Sequence, residues 1–172
     1  MKSNQTIEIT DQDLAGLRRA PIEQRPSMLI DLGKRIAQGA SDEAIAPQMA
    51  ELACEDSQRS DIRDAWMSYA FASRSPAFIS ILRQWMESTD EEIRLRALSS
   101  LAWNRSAQVN GILIQLLSTD PSRRVRRDAL RSIVRRGTLG EWTPIDLLPL
   151  VTKSDWWPAI EREYLRLMRR QE

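Results

Sequence analysis

Apolar positions along the chain recur at steps of three, four and one, in blocks separated by turn-forming residues roughly every 12–15 positions. Three blocks line up: DIRDAWMSYAFASRS (61–75), IRLRALSSLAWNRS (93–106) and VRRDALRSIVRRG (125–137). Trp66, Leu98 and Leu130 fall 32 residues apart, as do Ala65, Ala97 and Ala129. Tyr69, Leu101 and Ile133 keep the same register, with Ala70, Ala102 and Val134 beside them and Ser68, Ser100 and Ser132 at one flank. Each block predicts an amphipathic helix. Ser60-Asp61, Thr89-Asp90 and Asp120-Pro121 are the start signals, the last with Pro at an early helical position, and Gly137 is the stop signal of the third.

Shorter apolar blocks lie between these. Phe78, Ile79, Leu82, Trp85 and Met86 make one face, and Val109, Ile112, Leu113, Leu116 and Leu117 repeat it 31 residues later. Ile145, Leu148 and Val151 make a weaker third copy; Ile45, Met49, Leu52 and Ala53, with Cys54 beside them, make an earlier one. Leu14 and Leu17 open a first short helix after Asp11, Met28 to Ala37 is its partner, and 157–170 is the last helix. Only TIEIT (6–10) has a strand-like period, and it is too short to support a strand. The sum is about five helix pairs. A single pair cannot bury its own apolar stripe, so the expected fold is all-α, an α-α superhelix of stacked pairs forming a right-handed solenoid. A coiled coil would need a sustained 3.5-residue spacing, which the turns interrupt.

Composition narrows the chemistry. The chain of 172 residues is 42% apolar and 28% charged, which fits one soluble domain. It has no His and one Cys. Histidine-based triads, His-ligated metals, an intrachain disulfide and a Cys-rich zinc site are thereby excluded. A Gly-rich phosphate loop is absent from the sequence, and no metal or cofactor is expected. No apolar stretch approaches the ~20 residues that cross a bilayer, and the polar start is unlike a secretory signal, so a cytoplasmic setting is expected. Residues 1–86 carry 10 basic and 12 acidic side chains and residues 87–172 carry 15 and 12. Within 121–137, seven Arg stand against Asp128 alone.

The stretch STDPSRRVRRDALRSIVRRG (118–137), and less fully STDEEIRLRALSSLAWNRS (88–106), resembles HEAT repeats. It is most similar to the short bacterial variety found in phycobilin lyases. An Asp turn is followed by Val-Arg and then Ala-Leu: Asp120, Val125, Arg126, Ala129 and Leu130 match, as do Asp90, Ile93, Arg94, Ala97 and Leu98 with a shorter gap. Ile62 and Arg63 match, with Ala65 one residue early. The resemblance implies a single HEAT-like domain over 1–172: a divergent N-terminal cap (1–39), repeats (40–155) and a C-terminal capping helix (156–172). It also implies that Arg63, Arg94 and Arg126 bridge to the Asp turns of their own or the next repeat. Partners of such solenoids usually dock on the concave side, lined by each pair's second helix.

A helical wheel for 93–106 centres the core between Leu101 and Ala102 and turns Trp103 almost directly away, near Arg96. Moving by one repeat gives three columns: Phe71, Trp103, Arg135; Asp64, Arg96, Asp128; and, about 40° off by the same wheel, Met67, Ser99, Arg131. Arg124, Arg127, Arg131 and Arg135 also recur at steps of 3–4 as a basic ridge, which Asp128 partly offsets. Large aromatics at non-core positions are unusual on a merely solvated face, and Trp and Arg are frequent interface anchors. The alternative for Phe71 and Trp103 is packing in the gap between curved repeats. Trp66 and Trp85 fall on core faces, Cys54 is expected to be an inert buried thiol, and Trp156-Trp157-Pro158 starts the last helix and closes the core.

The expected function is a non-catalytic protein-binding module: an adaptor, assembly factor or inhibitor, toxin neutralisation included. Its partner-binding residues are Met67, Phe71, Arg96, Trp103, Arg124, Arg127, Arg131 and Arg135, facing a partner protein with an acidic segment. The alternative is nucleic-acid binding through the 121–137 ridge, by similarity to HEAT-like alkylpurine DNA glycosylases. A near-neutral charge and only three Lys speak against it. A phycobilin-type lyase is the third class, hard to staff without His or a reactive Cys.

Overall fold

The computed structural model describes residues 8–57, 59–104 and 106–136. They form α1 (Asp11–Arg19), α2 (Arg25–Ala37), α3 (Ala46–Glu55), α4 (Ser60–Ser73), a 3-10 turn at Pro76–Phe78, α5 (Ile79–Met86), α6 (Glu91–Ala102), α7 (Gln108–Thr119) and α8 (Arg123–Arg136). Among the described residues the β pairing is one isolated parallel bridge, Glu8 with Ser41. The 32-residue spacing therefore marks helices, as expected. The fifth pair, around Ile145–Val151 and 157–170, lies outside the described residues, as do Gly137, Trp156 and Trp157.

The chain divides into two compact units, one ending at Ser106 and the other beginning at Ala107. In the first, α1, α3 and α5 adjoin in sequence, and α2, α4 and α6 adjoin in a second row. Each first helix also packs on its own partner, α1 on α2, α3 on α4 and α5 on α6. This two-layer stacking of helix pairs is that of an α-α superhelix. In the second unit, α7 packs on α8 through Val109 and Leu113 on one side and Val125, Ala129, Leu130 and Ile133 on the other, all buried.

Trp66, Tyr69 and Phe78 form the aromatic centre of the first unit, fully buried and edge-to-face in sequence, with centroids 6.0 Å and 5.6 Å apart. Trp85 is also buried, as expected. Buried indole and phenol groups usually find partners for their polar atoms. Among the described residues Trp85 Nε1 has none, whereas Trp66 and Tyr69 do. Asp56 accepts from Trp66 Nε1 at 3.1 Å and from Arg25 at 2.8 Å, joining α2 and α4 to the turn after α3. Tyr69 donates to Asp42 at 2.9 Å. The three register serines all donate to the carbonyl four residues back, and Ser100 also donates to Met67 O at 2.9 Å, where α4 and α6 approach closely.

The turns refine three expectations. Arg94 donates to Ser88 O and Thr89 O at 2.9 and 3.1 Å, and Arg126 to Asp120 O and Pro121 O at 2.6 and 3.0 Å. Both guanidinium groups thus close the turn of their own repeat through backbone carbonyls. Arg63 does not share this role. With Trp66, Leu98 and Leu130 in register, the position of Arg94 and Arg126 is taken by buried Ile62. Arg63 falls about 100° away on the helix, and its Nε is buried with no hydrogen-bond partner. Pro121 lies in the turn ahead of α8 rather than in its first turn; Ser122 Oγ accepts from the amides of Arg124 and Val125.

Candidate partner-binding face

The outer side of α4 and α6 carries Phe71 and Trp103, which are 40% and 38% exposed. Their rings meet edge-to-face, with centroids 6.0 Å apart at 75°. Phe71 lies in the last turn of α4; Trp103 is the residue that ends α6, with near-helical dihedrals that keep it on the wheel position expected of it. Two turns back along the same helices, Arg96 pairs with Asp64. That contact raises the Arg96 pKa, through the hydrogen bond to Asp64 and then its charge. In the first two columns the members on α4 and α6 therefore meet, Phe71 with Trp103 and Asp64 with Arg96.

Local chain geometry fixes this cluster. Pro76 cannot continue α4 and favours an extended residue before it, which Ser75 supplies at φ −71°, ψ 137°. Arg74 closes the helix in the left-handed region at φ 54°, its amide donating to Ala70 O. From there its guanidinium carbon stands 5.5 Å from the centroid of the Trp103 ring. Asn104, 1% exposed, donates to Ser75 O at 2.7 Å and accepts from the amide of Ser106 at 3.0 Å. It pins the end of α4 to the end of α6, and so sets Arg74 beside Trp103. Neither Arg74 nor Asn104 was expected at the site; the available signal was the Arg-Ser-Pro run at 74–76, which demands a helix stop.

Met67 corrects an expectation. It is 3% exposed rather than surface-lining. A wheel with one apolar stripe suits a helix buried on one side, whereas α4 packs against α2, α3 and α6. Ser99, its counterpart one repeat later, is exposed. Cys54 is the second correction: it is exposed, not buried. Partial desolvation and the nearby Glu51 and Glu55 carboxylates push its thiol pKa up, which disfavours the nucleophilic thiolate.

In the second unit, Arg124, Arg127, Arg131 and Arg135 are exposed along α8. Arg127 and Arg131 lie 3.7 and 3.2 Å from Asp128. Arg126 turns to the backbone, and Arg136, 3% exposed, donates to Asn110 Oδ1 at 2.7 Å. The dense Arg run is thus split between structural and outward-facing members. Among the described residues no cluster of potential metal ligands occurs, and no helix is long and apolar enough to cross a membrane.

A family model described as HEAT repeats matches residues 46–134 and 76–160, which span the paired helices and the 32-residue register. The chain belongs to the HEAT-repeat family. Both matches include residues of each unit. They identify HEAT repeats in general, without singling out the phycobilin-lyase variety. No curated protein and no solved structure matches the chain. HEAT repeats generally mediate protein–protein interaction, and their helical solenoid is typically non-catalytic.

Proposed function

We propose that this HEAT-repeat protein is a non-catalytic, cytoplasmic binding module that grips a partner protein on the outer face of α4 and α6, as an adaptor, assembly factor or inhibitor. The observation that carries this is the Phe71–Trp103 pair. Two large aromatics stay exposed while contacting one another across adjacent repeats, on the row of second helices. Burying the remaining aromatic surface against a partner is favourable, and Trp, Phe and Arg side chains in such pre-positioned clusters are effective anchors. Arg96 lines the same face; in the second unit, taken by itself, Arg124, Arg127, Arg131 and Arg135 are exposed along α8, a basic surface that favours an acidic partner.

The test is a Phe71→Ala, Trp103→Ala double variant, compared with wild type for capture from extract of the source organism, followed by direct binding of the purified partner. The expected result is a loss of at least about a hundredfold in affinity, two anchors at ~1.4 kcal/mol or more each, with an unchanged helical circular-dichroism spectrum. Retained binding would move the interface away from α4 and α6. A purified chain that binds oligonucleotides tightly and no protein would replace this function by the nucleic-acid alternative.

A further inference from the structure

We propose that Arg74 is the polar half of this face, and that the partner inserts a short acidic segment there, with a carboxylate next to an apolar side chain. The inference rests on the protein-binding function above and adds the chemistry of the ligand. Arg74 occupies the left-handed position at the end of α4, φ 54°, where glycine is the unstrained choice because a Cβ crowds the backbone. An arginine there does not serve the turn; what it supplies is its side chain. That side chain lies over the Trp103 ring at 5.5 Å.

A guanidinium beside an aromatic face is attracted to the ring and keeps N–H donors available, with which a carboxylate forms two parallel hydrogen bonds. The Asp residues of α4 are held further back along the helix: Arg96 holds Asp64, and Arg59 holds Asp61 at 2.7 Å in its first turn. Among the described residues no carboxylate is paired with Arg74. A cation with open donors therefore sits against the exposed Phe71–Trp103 pair, and the complementary ligand is a carboxylate with an apolar neighbour. Once the partner's apolar side chain covers the rings, a charge-assisted pair at Arg74 is strengthened relative to one in open solvent.

The probe is a displayed library of random short peptides selected on the full chain, with counter-selection on Phe71→Ala. Enriched peptides should carry Asp or Glu within a few positions of Leu, Ile, Phe or Trp. For these, Arg74→Gly should weaken binding at least about tenfold, while the thermal midpoint stays level or rises because glycine suits the turn. Arg83→Gln, which removes an exposed cation on α5, should leave affinity unchanged. Arg74→Glu should lose the acidic peptide and regain binding when the peptide's acid is replaced by Lys.

Peptides that need Phe71 and Trp103 but bind Arg74→Gly as wild type overturn this inference and leave the protein-binding function standing. Enrichment of neutral or basic peptides has the same consequence. If no peptide is enriched, this inference falls, and the protein-binding function is decided by the partner capture above. Arg74-dependent binding of a single-stranded oligothymidine would assign the face to base stacking instead, and would overturn both.

Discussion

Two side-chain pairs at the residue scale carry consequences out of proportion to their size. Tyr69 is fully buried, and its hydroxyl donates to Asp42, itself 6% exposed. Burial first, and then the Asp42 charge, raise the phenol pKa far above its usual 10.0. The folded state thus requires the neutral phenol, while the unfolded chain ionises normally. Its contribution is full below about pH 10 and is lost as pH rises beyond that value. Tyr69→Phe should cost ~1–3 kcal/mol at neutral pH, by leaving Asp42 short of a buried donor, and should flatten the alkaline fall in stability. Chemical denaturation at neutral pH and at about pH 11 checks both. Asp13 has the opposite sign. The hydrogen bond from Arg35, at 2.7 Å, is the largest of the effects that hold its pKa below 3.8, against partial desolvation. Its contribution is present above that value and is lost as pH falls through the lowered one. Asp13→Asn should therefore reduce the slope of stability against pH in the acid limb and soften the alkaline limb only slightly, because the Asp13 charge is a lesser cause of the Tyr69 shift.

Repeats at the element scale share a register without sharing every bond. Arg94 and Arg126 close their turns through backbone carbonyls, but in the repeat before them Ile62 takes that position. There Arg25, reaching from α2, and Trp66 hold Asp56, the residue 32 before Ser88 and 64 before Asp120. Copying the earlier repeat into the later one should fail for this reason. Arg94→Ile would strip two carbonyls of a charged donor and cost ~1.5–3 kcal/mol, read as a lower urea midpoint with an unchanged slope. The helices themselves were legible, because the 32-residue period aligned the same apolar wheel positions in three blocks. The site was half legible. Phe71 and Trp103 could be found because the wheel places them opposite the core, and Arg96 because its column partner is Asp64. Met67 was misplaced because α4 is packed on several sides, which a single stripe cannot express. Arg74 and Asn104 escaped because they sit beyond the last helical turn, where a wheel has no meaning and Pro76 decides the geometry.

Charge at the scale of the whole molecule decides how a partner is reached more than how it is held. The net charge is +1, yet the described surface puts an aromatic pair with Arg74 in the first unit and the Arg ridge of α8 in the second. Exposed rim charges steer encounter and set its salt dependence, whereas desolvated anchors set the lifetime of the complex. Replacing Arg124, Arg127 and Arg131 together by Gln should therefore slow association with an acidic partner, about three- to tenfold at low salt, and change dissociation little. Trp103→Ala should do the reverse. Stopped-flow or surface-resonance kinetics across a salt series separates the two. The same triple variant tests the nucleic-acid alternative. Arg127 and Arg131 lie against Asp128, and Arg126 and Arg136 turn to backbone and Asn110, so few guanidinium groups are presented to phosphates. Wild type should then bind oligonucleotides no tighter than the nonspecific range of ~1–100 µM near physiological salt, with a log–log salt slope shallower than about −3. A submicromolar affinity with a slope steeper than about −4, abolished in the triple variant, would mean that the ridge, and not the aromatic pair, is the functional surface.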